Sequence, residues 1–86
     1  MNKIAMIYAR GENKHLQVAK CEEYAEKKGY QVVAEVYDDT KEIYSELGDI
    51  EVLLMSDLSR LTRSKTELEQ IIRSLEADGI EIKIAE

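Results

Sequence analysis

The sequence lacks the residues on which several classes of protein depend. It contains one cysteine, Cys21, so no internal disulfide can form, and the cytoplasm is the expected compartment. Because His15 is the only histidine, Cys21 has no companions with which to bind a metal ion, and we expect neither a metal nor another cofactor. No apolar run approaches the ~20 residues that a membrane span needs, so no membrane association is expected.

The chain also lacks an excess of positive charge. Its 18 acidic and 12 basic side chains give a net charge of −6, and the basic residues form no continuous run. Contacts with phosphate dominate the affinity of proteins for DNA, so this chain is expected to bind nucleic acid weakly on its own. If DNA is the substrate, another module or another chain must supply most of the affinity.

The 86 residues contain no proline, no internal repeat and no low-complexity segment, which favours a single domain over residues 1–86. Apolar and β-branched segments of strand length alternate with segments of helical periodicity. The predicted strands cover residues 3–9, 30–37, 50–55 and 80–84.

Each of the three predicted helices ends at a glycine, in turn Gly29, Gly48 and Gly79. The first runs from an N-cap at Asn13 to Lys28, the second is short and starts with a capping box at Asp39, and the third follows Ser64. The residues expected to bury one face of the first helix are Leu16, Val18, Cys21, Tyr24 and Ala25.

This alternation predicts an α/β fold with three layers. The first strand is apolar almost throughout, which is typical of a parallel sheet covered by helices on both faces. We expect a four-stranded, mainly parallel sheet of order 2-1-3-4, in which the fourth strand forms an edge.

Three of the four arginines follow two strands that this order makes neighbours. Arg10 leaves the first strand, whereas Arg60 and Arg63 follow the third. Ligands of open α/β sheets bind beyond the carboxyl ends of the strands where the strand order reverses, and guanidinium groups suit phosphate oxygens. The arginines therefore indicate a phosphate site. The plainer alternative is that they form ordinary ion pairs with the nearby carboxylates, Glu12, Asp38, Asp39 and Asp57.

The remaining candidate groups are expected to be structural. A single cysteine on an apolar helix face, such as Cys21, is usually a buried small hydrophobe. His15 is expected to be exposed early in the first helix. Four tyrosines are expected to pack in or against the core rather than to stack on bases: Tyr24, Tyr30, Tyr37 and Tyr44.

Three segments together resemble the N-terminal catalytic domain of serine recombinases, the resolvases and DNA invertases. Tyr8-Ala9-Arg10 is similar to the Tyr-x-Arg that opens that family's pattern. The segment from Gln17 to Tyr30 resembles its first helix and the turn into its second strand. Asp57-Leu58-Ser59-Arg60-Leu61-Thr62-Arg63 resembles its Asp-Arg-Leu-x-Arg loop.

The resemblance implies chemistry on a DNA phosphodiester without a metal. In that family a serine attacks the phosphorus and forms a covalent 5′-phosphoserine link, while arginines stabilise the charge. Carried over by position, Arg10, Arg60 and Arg63 match the phosphate-binding arginines, and Tyr8 matches a tyrosine beside them. The resemblance also implies DNA as a partner.

The departures from the family pattern concern the nucleophile most of all. Glu12 occupies the position of the attacking serine, and a carboxylate there would repel a phosphate. Ser59 stands where the family has aspartate, and it is a weak candidate for a replacement nucleophile because no general base accompanies it. The segment from Thr40 to Ile50 supplies no arginine. The sequence also ends at the fourth strand, without the family's long dimerisation helix or a DNA-binding domain.

We therefore expect a shortened recombinase-like domain that does not cleave DNA, but three interpretations remain. The first is a regulatory relative that pairs with itself or with a full recombinase. The second is a fragment that still binds DNA phosphate through its arginines. The third is a small α/β protein-interaction module without nucleic-acid chemistry, for which the likeness reflects the fold alone.

Overall fold

The computed structural model describes residues 3–38, 50–57 and 65–85. They form four strands and two helices: β1 (Ile4–Ala9), α1 (Lys14–Lys28), β2 (Gln31–Tyr37), β3 (Val52–Met55), α2 (Lys65–Ala77) and β4 (Glu81–Ile84). The predicted short helix that starts at Asp39 lies outside the described residues, as do Tyr44 and Gly48. The predicted loop with Arg60 and Arg63 also lies outside them.

The strands pair in the order β2-β1-β3-β4, and all three pairings are parallel. The predicted sheet and its order are confirmed, and β4 is an outer strand of the sheet formed by the described residues. Residues Ala5 to Ala9 of β1 are fully buried, as expected for a central strand with a helix layer on each face.

Each face of the sheet has its own hydrophobic core. Side chains of β1 contribute alternately to the two, because successive residues of a strand point to opposite faces. The α1 side contains Ala5, Ile7, Ala9, Val18, Cys21, Ala25, Val52, Leu54 and Ala85. The α2 side contains Met6, Tyr8, Val36, Ile50, Leu53, Met55, Ile71, Leu75 and Ile80.

A β-bulge in β2 changes which face its side chains occupy. Ala5 pairs with Val32, but the next residue of β1, Met6, pairs with Ala34, which leaves Val33 as an extra residue. Val32 consequently packs on the α1 side, Ala34 packs on the α2 side, and Val33 is 52% exposed. The bulge thus explains why Val33 is exposed, although the apolar composition of β2 predicts that its valines are buried.

Both described helices end in the same backbone motif. Gly29 has φ 74° and ψ 27°, and the N–H of Tyr30 donates to the carbonyl of Ala25 at 2.8 Å. After α2, Gly79 has φ 79°, and the N–H of Ile80 donates to the carbonyl of Leu75 at 2.9 Å. These are Schellman turns, in which glycine adopts the left-handed conformation that other residues disfavour. None of the helices in the described parts of the chain is long and apolar enough to cross a membrane.

Candidate functional site at the carboxyl edge of the sheet

The strand order reverses between β1 and β3, and the candidate site lies at their carboxyl ends. From β1 the chain passes through α1 to β2 on one side, whereas β3 lies on the other side of β1. Such a reversal leaves a crevice beyond the strands, which is where open α/β sheets bind ligands. Arg10 follows the last residue of β1 directly and is half-buried, so it lies at the predicted edge.

A buried glutamine fixes the backbone around Arg10. The N–H of Arg10 donates to Oε1 of Gln17 at 3.1 Å, and Nε2 of Gln17 donates to the carbonyls of Arg10 and Glu12, both at 2.8 Å. Gln17 lies in α1 and is only 5% exposed. Its amide oxygen and both amide hydrogens are therefore used, which satisfies a polar group that would be unfavourable to bury alone.

Asp38 ties the same turn to the end of β2. Its N–H donates to the carbonyl of Ala9 at 3.0 Å, while Oδ1 accepts from the N–H of Gly11 at 3.0 Å and Oδ2 forms an ion pair with Lys14. The hydrogen bond from Lys14 and that from Gly11 lower the pKa of the Asp38 carboxyl below its usual value. Asp38 therefore carries a negative charge beside the turn and also links β2 to it. Its own φ of 61° is the left-handed conformation, which aspartate tolerates better than most residues.

The helix α1 begins where the turn ends. Asn13 occupies the predicted N-cap position, and its carbonyl accepts from the N–H groups of Leu16 and Gln17 at 3.0 and 3.1 Å. Its side chain makes no capping hydrogen bond, because Asn13 adopts the left-handed conformation with φ 59° and ψ 39°. The predicted helix boundary is confirmed, but the expected side-chain cap is wrong.

A crevice of about 280 Å³ separates the start of α1 from the end of β3. Its lining is mixed in charge and polarity, and consists of Asn13, Leu16, Gln17, Lys20, Ser56 and Asp57. Leu16 was expected in the buried stripe of α1, but its side chain is 58% exposed at this crevice. The stripe instead includes Gln17, since residues 17, 21 and 25 recur every four positions on the face that meets the sheet.

The other predicted site residues do not all lie beside Arg10 at the surface of this edge. Tyr8 is fully buried in the core on the α2 side, so its ring is a core side chain two residues before Arg10. Glu12 is exposed in the turn after β1. Asp57 is the last described residue before the segment 58–64, and the predicted site residues Ser59, Arg60 and Arg63 in that segment lie outside the described residues.

The sequence predicts structural positions for Cys21 and for the described tyrosines Tyr24, Tyr30 and Tyr37. Burial raises the pKa of the Cys21 thiol to about 11, so the thiol stays protonated and is a poor nucleophile. Tyr24 and Tyr30 are half-buried with ring centroids 6.3 Å apart. The expectation is wrong for Tyr37, which is 42% exposed and donates its hydroxyl hydrogen to Glu35 at 2.6 Å. Across the described segments, no three His, Cys, Asp or Glu side chains lie close enough to hold a metal ion.

Sequence reasoning did not identify Gln17 and Asp38 as residues that shape the site. The available signal for Gln17 is a polar residue on the helix face that Cys21 and Ala25 bury. Asp38 could be recognised only as one of several carboxylates near the arginines. Its role depends on the pairing of β1 with β2, which brings Asp38 beside Gly11.

Comparison with known proteins identifies the family of the chain and its fold. The family model "Resolvase, N terminal domain" matches residues 6–86. The chain belongs to the resolvase N-terminal domain family. Among solved structures, this resolvase domain is similar to the crystal structure of the N-terminal catalytic domain of TP901-1 integrase, with a TM-score of 0.81 and 19% sequence identity. That match covers 96% of the resolvase domain and 77% of the integrase chain, and it shows a shared fold. The comparison with curated proteins gives no match.

Proposed function

We propose that this resolvase domain binds a DNA phosphate at the carboxyl edge of its sheet and does not itself cleave the strand. Arg10, Arg60 and Arg63 supply the guanidinium groups, and Glu12 replaces the serine that would attack the phosphorus. The observation that carries the proposal is the position of Arg10, half-buried beside the reversal of strand order.

The preorganisation of Arg10 supports phosphate binding. Three hydrogen bonds join the amide of one buried glutamine, Gln17, to the backbone of Arg10 and Glu12, so Arg10 leaves the sheet from a fixed point. An anion site built on a fixed backbone loses less conformational entropy on binding than one on a freely moving loop. In the sequence, Arg60 and Arg63 follow closely after Ser56 and Asp57, two residues that line the adjacent crevice.

The charge of the site argues against strand cleavage and tight binding. Glu12 places an exposed carboxylate two residues after Arg10, and Asp38 adds a second negative charge on the other side of the turn. A carboxylate cannot form the seryl phosphodiester, and it weakens the local positive potential. The domain thus keeps the phosphate-binding half of a recombinase site and needs a partner for firm attachment to DNA.

Replacement of Arg10 tests the phosphate site. We expect Arg10→Ala to weaken binding of a short duplex DNA by about fivefold to tenfold at low salt, and to reduce the salt dependence by about one released counterion. Arg73→Ala is the matched control, because Arg73 is an exposed arginine on α2. Fluorescence anisotropy over a series of salt concentrations measures both variants. Equal losses in the two would contradict a site at Arg10.

Replacement of Glu12 tests the missing nucleophile. We expect no covalent adduct when the unmodified domain is incubated with DNA that carries recombination sites and the products are separated under denaturing conditions. In Glu12→Ser, the seryl oxygen can bond to phosphorus while the P–O3′ bond breaks and the 3′ oxygen takes the proton. An adduct from the unmodified domain would refute the proposal. Glu12→Gln should tighten duplex binding, whereas Glu26→Gln, an exposed change later on α1, should alter it less.

A further inference from the structure

The isoleucines of the segment that contains β4 are placed symmetrically about its centre. Residues 80–84 are Ile-Glu-Ile-Lys-Ile, with isoleucine at the centre and at both ends. Ile80, Ile82 and Ile84 pack on the α2 side of the sheet. Glu81 and Lys83 belong to the opposite face and lie within 3.6 Å of each other. The strand therefore has one apolar side and one side with a single charge of each sign.

The outer edge of β4 presents backbone groups in a regular row. Towards the sheet, the N–H groups of Glu81 and Ala85 donate to the carbonyls of Glu51 and Met55, each at 2.9 Å. Alternate residues of a strand direct their backbone groups to opposite edges, so Ile82 directs its N–H and C=O away from β3. In the part of the chain that the structure describes, β4 is the last strand of the sheet on this side. Such an edge can accept another strand.

A mainly apolar groove accompanies this edge. It has a volume of about 560 Å³ and lies between α2 and β4, where it is lined by Ile72 and Glu76 of the helix and by residues 79–84, which include Glu81 and Lys83. Ile72, Ile82 and Ile84 are only half-buried, so burying them further would be favourable. A strand added at the β4 edge with isoleucines on the same side would fill this groove.

We propose that β4 pairs antiparallel with β4 of a second copy of this chain, about a two-fold axis at Ile82. In this register Ile82 and the partner's Ile82 exchange both backbone hydrogen bonds. Ile80 lies opposite the partner's Ile84, and Glu81 lies opposite the partner's Lys83. The two four-stranded sheets become one continuous sheet, and the grooves beside the two α2 helices merge into one apolar layer.

Charge complementarity selects both this register and a second copy as the occupant. An antiparallel pairing centred one residue earlier would place Glu81 against another Glu81, and one centred a residue later would place Lys83 against Lys83. Like charges directly opposite each other destabilise a strand pair, and opposite charges stabilise it. The existing contacts of Glu81 with Lys83 and with Lys3, at 3.6 and 3.4 Å, join half-exposed groups and are weak enough to be exchanged.

Reversing one charge at a time tests the pairing. Sedimentation equilibrium of the unmodified chain should show a concentration-dependent rise from the mass of one chain to that of two. Glu81→Lys and Lys83→Glu each place like charges opposite each other twice per dimer, so each should raise the dissociation constant about tenfold or more. An equimolar mixture of the two variants should associate at least as tightly as the unmodified chain, because every cross-strand pair is then opposite in sign. The double variant should also regain association.

Matched changes on α1 control for net charge. Glu23 and Lys27 form an exposed ion pair on that helix, so Glu23→Lys and Lys27→Glu make the same charge changes away from the edge and should leave association unchanged. Circular dichroism verifies that every variant is folded. A monomer at all concentrations of the unmodified chain would overturn the proposal. Association of the single β4 variants equal to that of the unmodified chain, or a mixture no tighter than either variant alone, would also overturn it.

Discussion

The turns at the carboxyl ends and at the amino ends of the strands, here called the carboxyl edge and the amino edge of the sheet, are stabilised in different ways. At the carboxyl edge, the turn between β1 and α1 is fixed by side chains, the amide of Gln17 and the carboxylate of Asp38. At the amino edge, the turns after α1 and α2 are closed by backbone hydrogen bonds around Gly29 and Gly79. Backbone closure is available to many sequences, whereas side-chain closure fixes one geometry. The edge that holds the candidate site is thus the one with a specific geometry.

Removal of the Gln17 amide should disturb the carboxyl edge most. Gln17→Ala leaves the backbone groups of Arg10 and Glu12 without their partner, so we expect a loss of about 2–3 kcal/mol in the free energy of unfolding. Urea denaturation followed by circular dichroism measures this loss. Gln70→Ala, at an exposed position of α2, should change the stability by less than about 0.5 kcal/mol. Similar effects of the two changes would mean that the turn does not depend on Gln17.

A smaller effect is expected at the amino edge. Gly79→Ala forces alanine to adopt φ near 79°, which should cost about 1 kcal/mol in the free energy of unfolding. The added Cβ would meet no atom of the described residues within 4 Å, so the loss reports backbone conformation alone. Thermal and urea unfolding measure it, and Gly79→Asn should lose less because asparagine tolerates this conformation. A larger loss in Gly79→Asn than in Gly79→Ala would argue against this origin.

The smallest effect is expected at Asp38, whose ion pair is exposed. Asp38→Asn keeps an oxygen acceptor for the N–H of Gly11 and loses the charge that pairs with Lys14. Because folding lowers the pKa of Asp38, its charge stabilises the fold above the unfolded pKa of about 3.9, and this contribution is lost as the pH falls through the folded pKa. The unmodified domain should therefore be more stable than the variant at neutral pH, with a smaller difference near about pH 3.

Urea midpoints at the two pH values measure this difference, and added salt should reduce it at neutral pH. Asp78→Asn, an exposed change after α2, is the control at the amino edge. A difference between Asp38→Asn and the unmodified domain that stayed constant from neutral to acid pH would contradict a role for the charge.

The sequence predicts the architecture because its hydrophobic pattern is unambiguous. β1 and β3 are continuous apolar runs, α2 has Leu68, Ile71 and Leu75 at helical spacing, and glycine follows both described helices. These features act over short distances along the chain, so they are visible without a structure. The alternation of strands with helices also predicts the strand order that places Arg10 at the candidate site.

The finer features of the site could not be predicted for a physical reason. The role of Gln17 depends on hydrogen bonds to Arg10 and Glu12, and that of Asp38 depends on the pairing of β1 with β2. The bulge at Val33 leaves no signature in a strand that is rich in valine. Each is a product of tertiary contacts that override local preference. Leu16 illustrates the same limit, since an apolar residue next to the buried stripe is exposed at the crevice.

The bulge at Val33 also bears on how many neighbours the sheet can acquire. A sheet whose two outer strands were both straight and open could join copies end over end without limit, as fibres do. In this domain β2 is interrupted by an extra residue and therefore offers an irregular template, whereas β4 is uninterrupted. Among the strands that the structure describes, β4 is thus the outer strand with a regular backbone for strand addition. If copies pair through β4 as proposed, the irregular β2 is a poor template for a further strand, so assembly would stop at a pair.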